Sequence, residues 1–229
     1  MDRIMVFAPH MDDEVIGCGG SLLKHLQNNC SVHIVYFTDG SYLLENEVLR
    51  NKYMTQRIAE VELVCGSLGA TYTTLNIPDR QLSYNNVVLK QLMQEIRHFQ
   101  PDIIYLPHSS ENDREHRIVH ELVTQAIWLG YSTHDIECEE KCRRASFILE
   151  YEVWTPLQSV DYVNNITDFV SRKDELVCLY KSQLGKIKYN EAALSLNRYR
   201  GIMHLHTDSY GEAFKINKLS NSVLSSFLG

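Results

Sequence analysis

Residues 3–20 read RIMVFAPHMDDEVIGCGG, an apolar run that passes directly into a turn of histidine and acidic residues. The apolar part, Arg3 to Ala8, is bounded by Pro9 and predicts a short buried β-strand. Leucines at helical spacing come next and predict a helix over Gly17 to Gln27. A buried strand, a polar turn and a helix in this order are typical of the first unit of an α/β fold.

The same alternation continues to residue 130. Strands are predicted over residues 31–37, 71–75 and 103–106, and helices over residues 49–68, 87–99 and 118–129. Glycine or proline follows most of these segments. Such alternation favours right-handed βαβ units, and therefore an α/β, Rossmann-like fold with a mainly parallel sheet and helices on both faces.

The pattern is less regular after residue 130. Phe147 to Val153 predicts a further strand, and Asp168 to Tyr180 and Asn190 to Tyr199 predict helices. The last 30 residues show no pattern that we assign. A chain of 229 residues fits one α/β domain. We therefore predict a single domain over residues 1–229, with residues from about 131 to 229 as a less regular C-terminal part.

Composition narrows the class of protein. A formal net charge of −7 argues against nucleic acid as a partner, since phosphate backbones are held by clustered Lys and Arg. No apolar run approaches the ~18 residues of a membrane helix, and the opening residues lack a secretory core. Six scattered cysteines, among them Cys138 and Cys142, predict free thiols and a reducing cytoplasm. The composition leaves a homo-oligomer open.

Two polar turns are placed to form one site. In open α/β sheets, ligands bind outside the carboxyl ends of the strands. Pro9 to Glu14 follows the first strand, and His108 to His116 follows the fourth. The first and fourth strands are neighbours in the common doubly wound order, so these distant turns are expected to meet in one crevice.

Acidic side chains gathered in one crevice repel one another unless a cation lies among them. His10, Asp13 and His116 supply two imidazoles and one carboxylate, the ligand set of a catalytic zinc site with a position left for water. The bound ion would bring the pKa of that water towards ~7 and polarise an amide carbonyl. Asp12 is not needed as a ligand and is a candidate general base. Zn²⁺ is the expected ion, and Fe²⁺ suits the same donors.

Simpler interpretations of this stretch exist. Asp12 or Asp13 would also serve as the cap of the following helix. Gly17, Gly19 and Gly20 suggest a nucleotide-binding loop, but acidic residues stand where phosphate would have to meet the helix start. We expect these glycines to allow close packing of the helix. A nucleotide- or sugar-binding module without catalysis is the alternative from another class of protein.

The string from Ala8 to Gly20 closely resembles the signature of the PIG-L/LmbE-like de-N-acetylase family. That family usually shows His-Pro-Asp-Asp-Glu here, and Met11 replaces the proline. In the second motif, Glu115-His116 stands where Asp-His is more usual. Weaker likenesses extend to about residue 216 and lie at residues 37–40, 57–60, 77–79, 101–104, 113–117, 173–183 and 211–214.

The resemblance implies a zinc-dependent hydrolase that removes acetyl from an N-acetylated amino sugar such as N-acetylglucosamine, or from an aminosugar conjugate. Hydrolysis of another amide or of a cyclic imide is the alternative reaction. The resemblance also implies the ligands and base named above. The substrate contacts that we expect share loops or helices with the family motifs, and they are Arg57, Asp79, Asp113 and Glu115.

One position departs from the family in a way that affects the chemistry. Some members place a histidine where Asp113 stands, to assist the oxyanion or the leaving group. A carboxylate cannot donate a hydrogen bond unless it is protonated. The role is therefore vacant or filled elsewhere, with His108, His204 and His206 as candidates. His204 and His206 alternate, so in a strand both would point to one face.

Overall fold

The computed structural model describes residues 2–131, 143–185 and 187–219. Cys138 and Cys142 lie outside these residues, so the prediction made for them is not tested. The four cysteines within them, Cys18, Cys30, Cys65 and Cys178, are free thiols, as predicted.

Across the described ranges, no helix has both the length and the apolar character needed to cross a membrane.

Seven strands of the described chain form one sheet in the order β3-β2-β1-β4-β5-β7-β6. They are β1 (Arg3–Ala8), β2 (Ser31–Thr38), β3 (Thr71–Ile77), β4 (Ile103–Pro107), β5 (Phe147–Tyr151), β6 (Tyr162–Asn165) and β7 (Gly211–Leu219). The pairs among β1 to β5 are all parallel. β7 is antiparallel to both β5 and β6. The mainly parallel sheet is confirmed, with a mixed edge.

The helices are α1 (Asp13–Gln27), α2 (Glu47–Leu68), α3 (Asn86–Phe99), α4 (Arg114–Gly130), α5 (Val170–Val177), α6 (Lys181–Leu184) and α7 (Tyr189–Leu205).

The side chains of β1 alternate between two hydrophobic cores, one on each face of the sheet. Ile4 and Val6 pack in one cluster with apolar residues of α1, α2, α5 and α7. Met5 and Phe7 pack in the other with residues of α3 and α4. Both faces of β1 are therefore covered, which explains its continuous apolar sequence.

Side-chain caps start three of the helices. Asn46 accepts a hydrogen bond from the backbone N–H of Leu49 and begins α2, and Asn85 accepts one from Val88 and begins α3. Asp113 accepts one from the backbone N–H of Glu115 and begins α4. Such caps satisfy N–H groups that the first helical turn leaves without partners. The cap of α4 therefore fixes the turn that brings in His116.

The glycines of α1 allow close packing, as predicted. A Cβ on Gly17 would lie 2.3 Å from Cδ2 of Tyr151, and one on Gly20 would lie 2.7 Å from Cβ of Ile166. Gly20 also donates its N–H to Glu212, which pairs with the fully buried Lys173 at 2.7 Å. α1 begins at Asp13, four residues before the predicted start, because its first turn is acidic and lies in the site.

His204 and His206 do not lie in a strand, so the shared face that a strand would give them does not arise. α7 continues to Leu205, so His204 occupies its last turn. His206 ends the helix in the left-handed conformation, with φ 56°. A residue at positive φ commonly closes the last turn of a helix in this way.

Candidate metal site and substrate cavity

β1 and β4 are neighbours, as predicted, with Val6 opposite Tyr105 in the parallel register. Their carboxyl ends therefore lie side by side and bring the two polar turns together. Within the first turn, the backbone N–H of His10 donates to Oδ2 of Asp13 at 2.9 Å. This contact closes the turn and orients the Asp13 carboxylate towards the incoming α4.

Three donor atoms form a nearly equilateral triangle. His10 Nδ1 lies 3.3 Å from Asp13 Oδ2 and 3.2 Å from His116 Nε2. His116 Nε2 lies 3.2 Å from the same carboxylate oxygen. Ligands about 2.0–2.1 Å from a tetrahedral zinc ion would be separated by about 3.3 Å, so the triangle fits one such ion. The structure thus brings together the residues predicted as metal ligands.

The second carboxylate oxygen of Asp13 is also available to bind a cation. Oδ1 of Asp13 is buried without a hydrogen-bond partner in the described residues. Burial alone would raise the pKa of Asp13, but the charges of His116 and His10 outweigh it and lower that pKa. The carboxylate is therefore held ionised, the form that binds a cation.

Glu115 orients the first imidazole. Its Oε2 lies 2.8 Å from His10 Nε2, and its Oε1 accepts the backbone N–H of Leu82 at 3.1 Å. A carboxylate only accepts, so Nε2–H donates to it, and in the neutral ring that binds a metal Nδ1 keeps a lone pair for the triangle. Burial would lower the pKa of His10, but hydrogen bonds to carboxylates, Asp13 first among them, raise it well above its usual value.

Asp12 stands next to the triangle without belonging to it. It is 4% exposed, begins α1 without a side-chain cap bond, and has the rare φ of 152°. The capping interpretation of Asp12 is therefore wrong. Burial is the largest cause that raises its pKa to about 7, against the charge of Arg57. A nearby cation would lower that pKa, which keeps the carboxylate available as a base.

The side chain of Arg57 is buried, with 2% of its surface exposed, so it does not form an ion pair at the surface. Its Nη2 donates to the backbone carbonyl of Met11 and lies 3.6 Å from Asp12 Oδ2. Its Nη1 lies 3.2 Å from Ser182 Oγ. The guanidinium therefore holds the turn that presents Asp12, and its predicted contact with substrate stays a prediction.

A cavity of about 160 Å³ opens beside these groups. Its walls combine charged and aromatic side chains, namely His10, Asp12, Tyr42, Tyr53, Arg57, Asp79, Arg80, Trp154, Gln183 and Tyr189, together with Gly40. Asp79, a predicted substrate contact, lies at the cavity wall, and its Oδ1 is 3.6 Å from His10 Nε2. Trp154 and Tyr189 pack with their ring centroids 4.9 Å apart.

The histidines considered for the assisting role have other partners. His108 Nε2 lies 2.7 Å from the carbonyl of Thr155, and its Nδ1 accepts from the backbone of Ser110. His204 contacts Arg200 through its Nε2. Neither His108 nor His204 lines the cavity. Asp113 caps α4 and accepts a hydrogen bond from Arg80 at 2.6 Å.

A buried chain of polar groups behind Asp12 was missed by sequence reasoning. Glu14 accepts the backbone N–H of Asp12 at 3.1 Å and the hydroxyl of Tyr180 at 2.5 Å. Tyr180 in turn lies 3.2 Å from the hydroxyl of Tyr36. Burial is the largest cause that raises the pKa of Glu14 to about 8. No local signal connects Tyr180 to this turn, 166 residues away.

The fold and the donor set are typical of metal-binding α/β enzymes, with the candidate centre at the carboxyl ends of parallel strands. The chain belongs to the GlcNAc-PI de-N-acetylase (PIG-L) family, whose model matches residues 5–127. That match includes the triangle and Asp12, and it leaves the wall formed by Trp154, Gln183 and Tyr189 outside.

Relatives and solved structures are consistent with this family. The chain is 28% identical over 121 residues to diacetylchitobiose deacetylase of Thermococcus kodakarensis, covering 50% of this chain and 45% of that protein. The chain thus matches less than half the length of this curated relative. The structure of N,N'-diacetylchitobiose deacetylase from Pyrococcus horikoshii superposes with a TM-score of 0.83 at 25% identity, covering 94% of this chain and 83% of that one.

A second solved structure shares the fold alone. GalB, the 4-carboxy-2-hydroxymuconate hydratase of Pseudomonas putida KT2440, has a TM-score of 0.86 at 18% identity. The superposition covers 96% of this chain and 98% of GalB. A hydratase on this architecture shows that the sheet and helices do not define the reaction, so the reaction has to be argued from the site.

Proposed function

We propose that the protein is a divalent-metal N-deacetylase that hydrolyses the acetamide of an N-acetylated amino sugar, such as N-acetylglucosamine, or of an aminosugar conjugate. The single observation behind the proposal is the triangle of His10, Asp13 and His116 with Asp12 beside it at the cavity. Two imidazoles and one carboxylate leave room for water and substrate. Membership of a de-N-acetylase family supports the same reaction.

Zn²⁺ is the proposed ion, held by His10, Asp13 and His116, with Fe²⁺ as the alternative that the same donors suit. A bound cation would supply Lewis-acid activation of water and of the amide carbonyl. Glu115 keeps His10 in the tautomer whose Nδ1 faces the triangle.

Asp12 performs the proton transfers in this proposal. Its carboxylate takes a proton from the attacking water and returns it to the leaving nitrogen, so one group serves as base and then as acid. The buried Arg57, 3.6 Å away, stabilises the ionised form and holds the turn in place. Asp79, Asp113 and Glu115 are the proposed contacts to the sugar.

The cavity favours a small polar substrate group. Its volume of about 160 Å³ is below the ~300–1,000 Å³ of sites for drug-sized ligands. Carboxylates at the wall accept hydrogen bonds from hydroxyl groups, and Trp154 and Tyr189 offer flat apolar faces. An amino sugar combines these two kinds of surface. The two chitobiose deacetylases named above act on such sugars, which supports this substrate class.

Acetate release tests the proposal directly. Protein purified without chelator is assayed on N-acetylglucosamine, diacetylchitobiose, a cyclic imide and an unsaturated hydroxy acid, before and after treatment with chelator. We expect acetate from the N-acetyl sugars, loss after chelation and recovery with Zn²⁺. Turnover of the imide or the hydroxy acid alone would contradict the deacetylase. Absence of both metal and turnover would favour a non-catalytic sugar-binding module.

A reducing cytoplasm is the proposed compartment, supported by the four free cysteines of the described residues. The proposed partner is the small N-acetylated sugar, and the net charge of −7 supports the absence of nucleic acid. A homo-oligomer is compatible with the fold, and light scattering of the purified protein measures it.

A further inference from the structure

Arg80 lies in the turn after β3, in a backbone conformation that arginine rarely adopts, with φ 68°. Carboxylates hold this turn on both sides of Arg80. The N–H of Asp79 donates to Asp39 Oδ1 at 3.0 Å, and the N–H of Leu82 donates to Glu115 Oε1 at 3.1 Å. Uncommon backbone held in place by its surroundings is often found at functional sites. These hydrogen bonds thus fix the backbone from which the Arg80 side chain extends.

The guanidinium of Arg80 lies at the candidate site, in contact with its carboxylates. Its Nη1 donates to Asp113 Oδ2 at 2.6 Å and lies 4.0 Å from Glu115 Oε2. Its Nε lies 3.5 Å from Asp79 Oδ1. The side chain is 37% exposed and forms part of the cavity wall with His10. Among residues 2–131, 143–185 and 187–219, Nη2 has no hydrogen-bond partner, which leaves it for a ligand.

Charge decides which kind of ligand this donor suits. Three carboxylates, those of Asp79, Asp113 and Glu115, lie within 4.0 Å of the guanidinium. They offset the positive charge of the guanidinium, so an anionic substituent away from the metal triangle would gain little from binding there. A neutral carbonyl is not repelled, and the charge that its oxygen gains during attack is stabilised by a fixed donor. Arginine stays protonated, so it acts as a hydrogen-bond donor and releases no proton.

We propose that Arg80, positioned by Asp113, is a catalytic residue that donates a hydrogen bond to the acyl oxygen of the substrate as negative charge develops there. The pair of Arg80 and Asp113 then replaces the histidine found at position 113 in some family members. This inference rests on the proposed N-deacetylase and deepens it, because it assigns the donor that Asp113 itself does not supply.

Steady-state kinetics of the Zn²⁺-loaded protein test the role. R80Q should lower kcat about 10²–10³-fold, the loss seen when one oxyanion donor is removed. KM should change less than about threefold, since the contact strengthens only in the transition state. R198Q is the matched control, because Arg198 is 36% exposed, pairs with Asp208 and lies outside the cavity. An R80Q variant with normal kcat, or with a change in KM alone, overturns the proposal.

Two variants at position 113 separate positioning from folding. D113N keeps a side chain that caps α4 and removes the charge that holds Arg80. It should lower kcat about tenfold at unchanged thermal stability. R80Q/D113H places an imidazole donor at this position and should recover at least tenfold of the kcat lost in R80Q. A double variant that keeps the zinc content and thermal stability of R80Q but is no more active contradicts the replacement.

Binding gives a readout that does not depend on turnover. A methylphosphonamidate of glucosamine presents a tetrahedral, negatively charged group in place of the acetyl group, whereas glucosamine lacks that group. By calorimetry, R80Q should weaken phosphonamidate binding about 100-fold and glucosamine binding less than about threefold. Equal weakening of both overturns the role of Arg80. If the wild type binds the phosphonamidate in this way but hydrolyses no N-acetyl sugar, the proposed function fails and the donor role stands.

Discussion

At the scale of the residue, Asp12 is the group on which the proposed chemistry depends. Its carboxylate is buried beside the three predicted metal ligands, makes no cap bond to α1, and lies 3.6 Å from Nη2 of Arg57. D12N keeps the shape and removes the base. We expect kcat to fall about 10²–10⁴-fold, the usual contribution of general acid–base catalysis, because an amide cannot take the proton of the attacking water.

The zinc content of the D12N variant is measured alongside its kcat, by elemental analysis. Asp12 is not one of the three donors, so the content should remain at the wild-type level. Full activity at normal zinc content would show that another group abstracts the proton.

Glu115 acts on the metal site through His10. Replacing the carboxylate by an amide in E115Q weakens the acceptor for His10 Nε2–H and lowers the basicity of Nδ1. Loss of such a partner typically costs 10–100-fold in metal affinity. We expect a decrease of about this size in Zn²⁺ affinity, measured by competition with a chromophoric chelator.

E95Q is the matched control for E115Q. Glu95 lies 3.6 Å from His33 Nε2, a second pair of carboxylate and imidazole that lies outside the metal triangle. Its substitution should leave Zn²⁺ affinity unchanged. Equal effects of E95Q and E115Q would mean that the change at residue 115 acts through general stability.

At the scale of the element, α1 has to approach its neighbours closely to bring its acidic first turn into the site. Gly20 leaves no room for a side chain, since a Cβ there would lie 2.7 Å from Ile166. G20A should therefore destabilise the fold by about 1–3 kcal/mol through overpacking. Urea unfolding followed by circular dichroism measures the change.

Gly66 in α2 offers the opposite case within a helix. A Cβ at that position would meet nothing within 4 Å. G66A should stabilise the protein by about 0.4–1 kcal/mol, because alanine reduces the freedom of the unfolded chain. Similar unfolding midpoints for G20A and G66A would show that the close packing of α1 does not limit stability.

The helix starts show what a local pattern leaves out. The apolar pattern predicts α4 from Ile118, whereas the helix begins at Arg114. Residues 114–117 are charged or histidine, so they carry no apolar periodicity, and the cap at Asp113 starts the helix. The segment missed by the pattern is the one that contains Glu115 and His116, because a site that binds a cation needs polar residues in the first turn.

At the scale of the whole molecule, the metal is expected to link two distant parts of the chain. His10 and Asp13 follow β1, and His116 lies in α4, so only the folded protein brings the three donors together. Zn²⁺ at 1,000 times its Kd should add about 4 kcal/mol to the free energy of unfolding. For a chain of this size, Tm should then rise by roughly 8–16 °C.

Differential scanning calorimetry with and without Zn²⁺ measures that rise, and H116Q serves as the comparison. H116Q removes one donor of the triangle and should lose most of the zinc-dependent increase. The same increase in H116Q and in the wild type would place the stabilising zinc ion at another site.

The sequence by itself determined the alternation of strands and helices, the parallel sheet and the identity of the three side chains that meet in the triangle. Each of these depends on a local pattern: apolar runs, helical spacing, and a polar turn at the end of a buried strand. The adjacency of β1 and β4 was also predictable, because few strand orders satisfy the rules for parallel sheets.

Only the tertiary structure decided which other groups surround the reacting atoms. Arg80 reaches Asp113 across 33 residues, and Tyr180 reaches Glu14 across 166. No periodicity or spacing encodes such pairs, because they form only where loops from different strands end at the same edge of the sheet. The walls of the cavity and the donor assigned to Arg80 therefore follow from how the strands and helices pack, and not from any single segment of the chain.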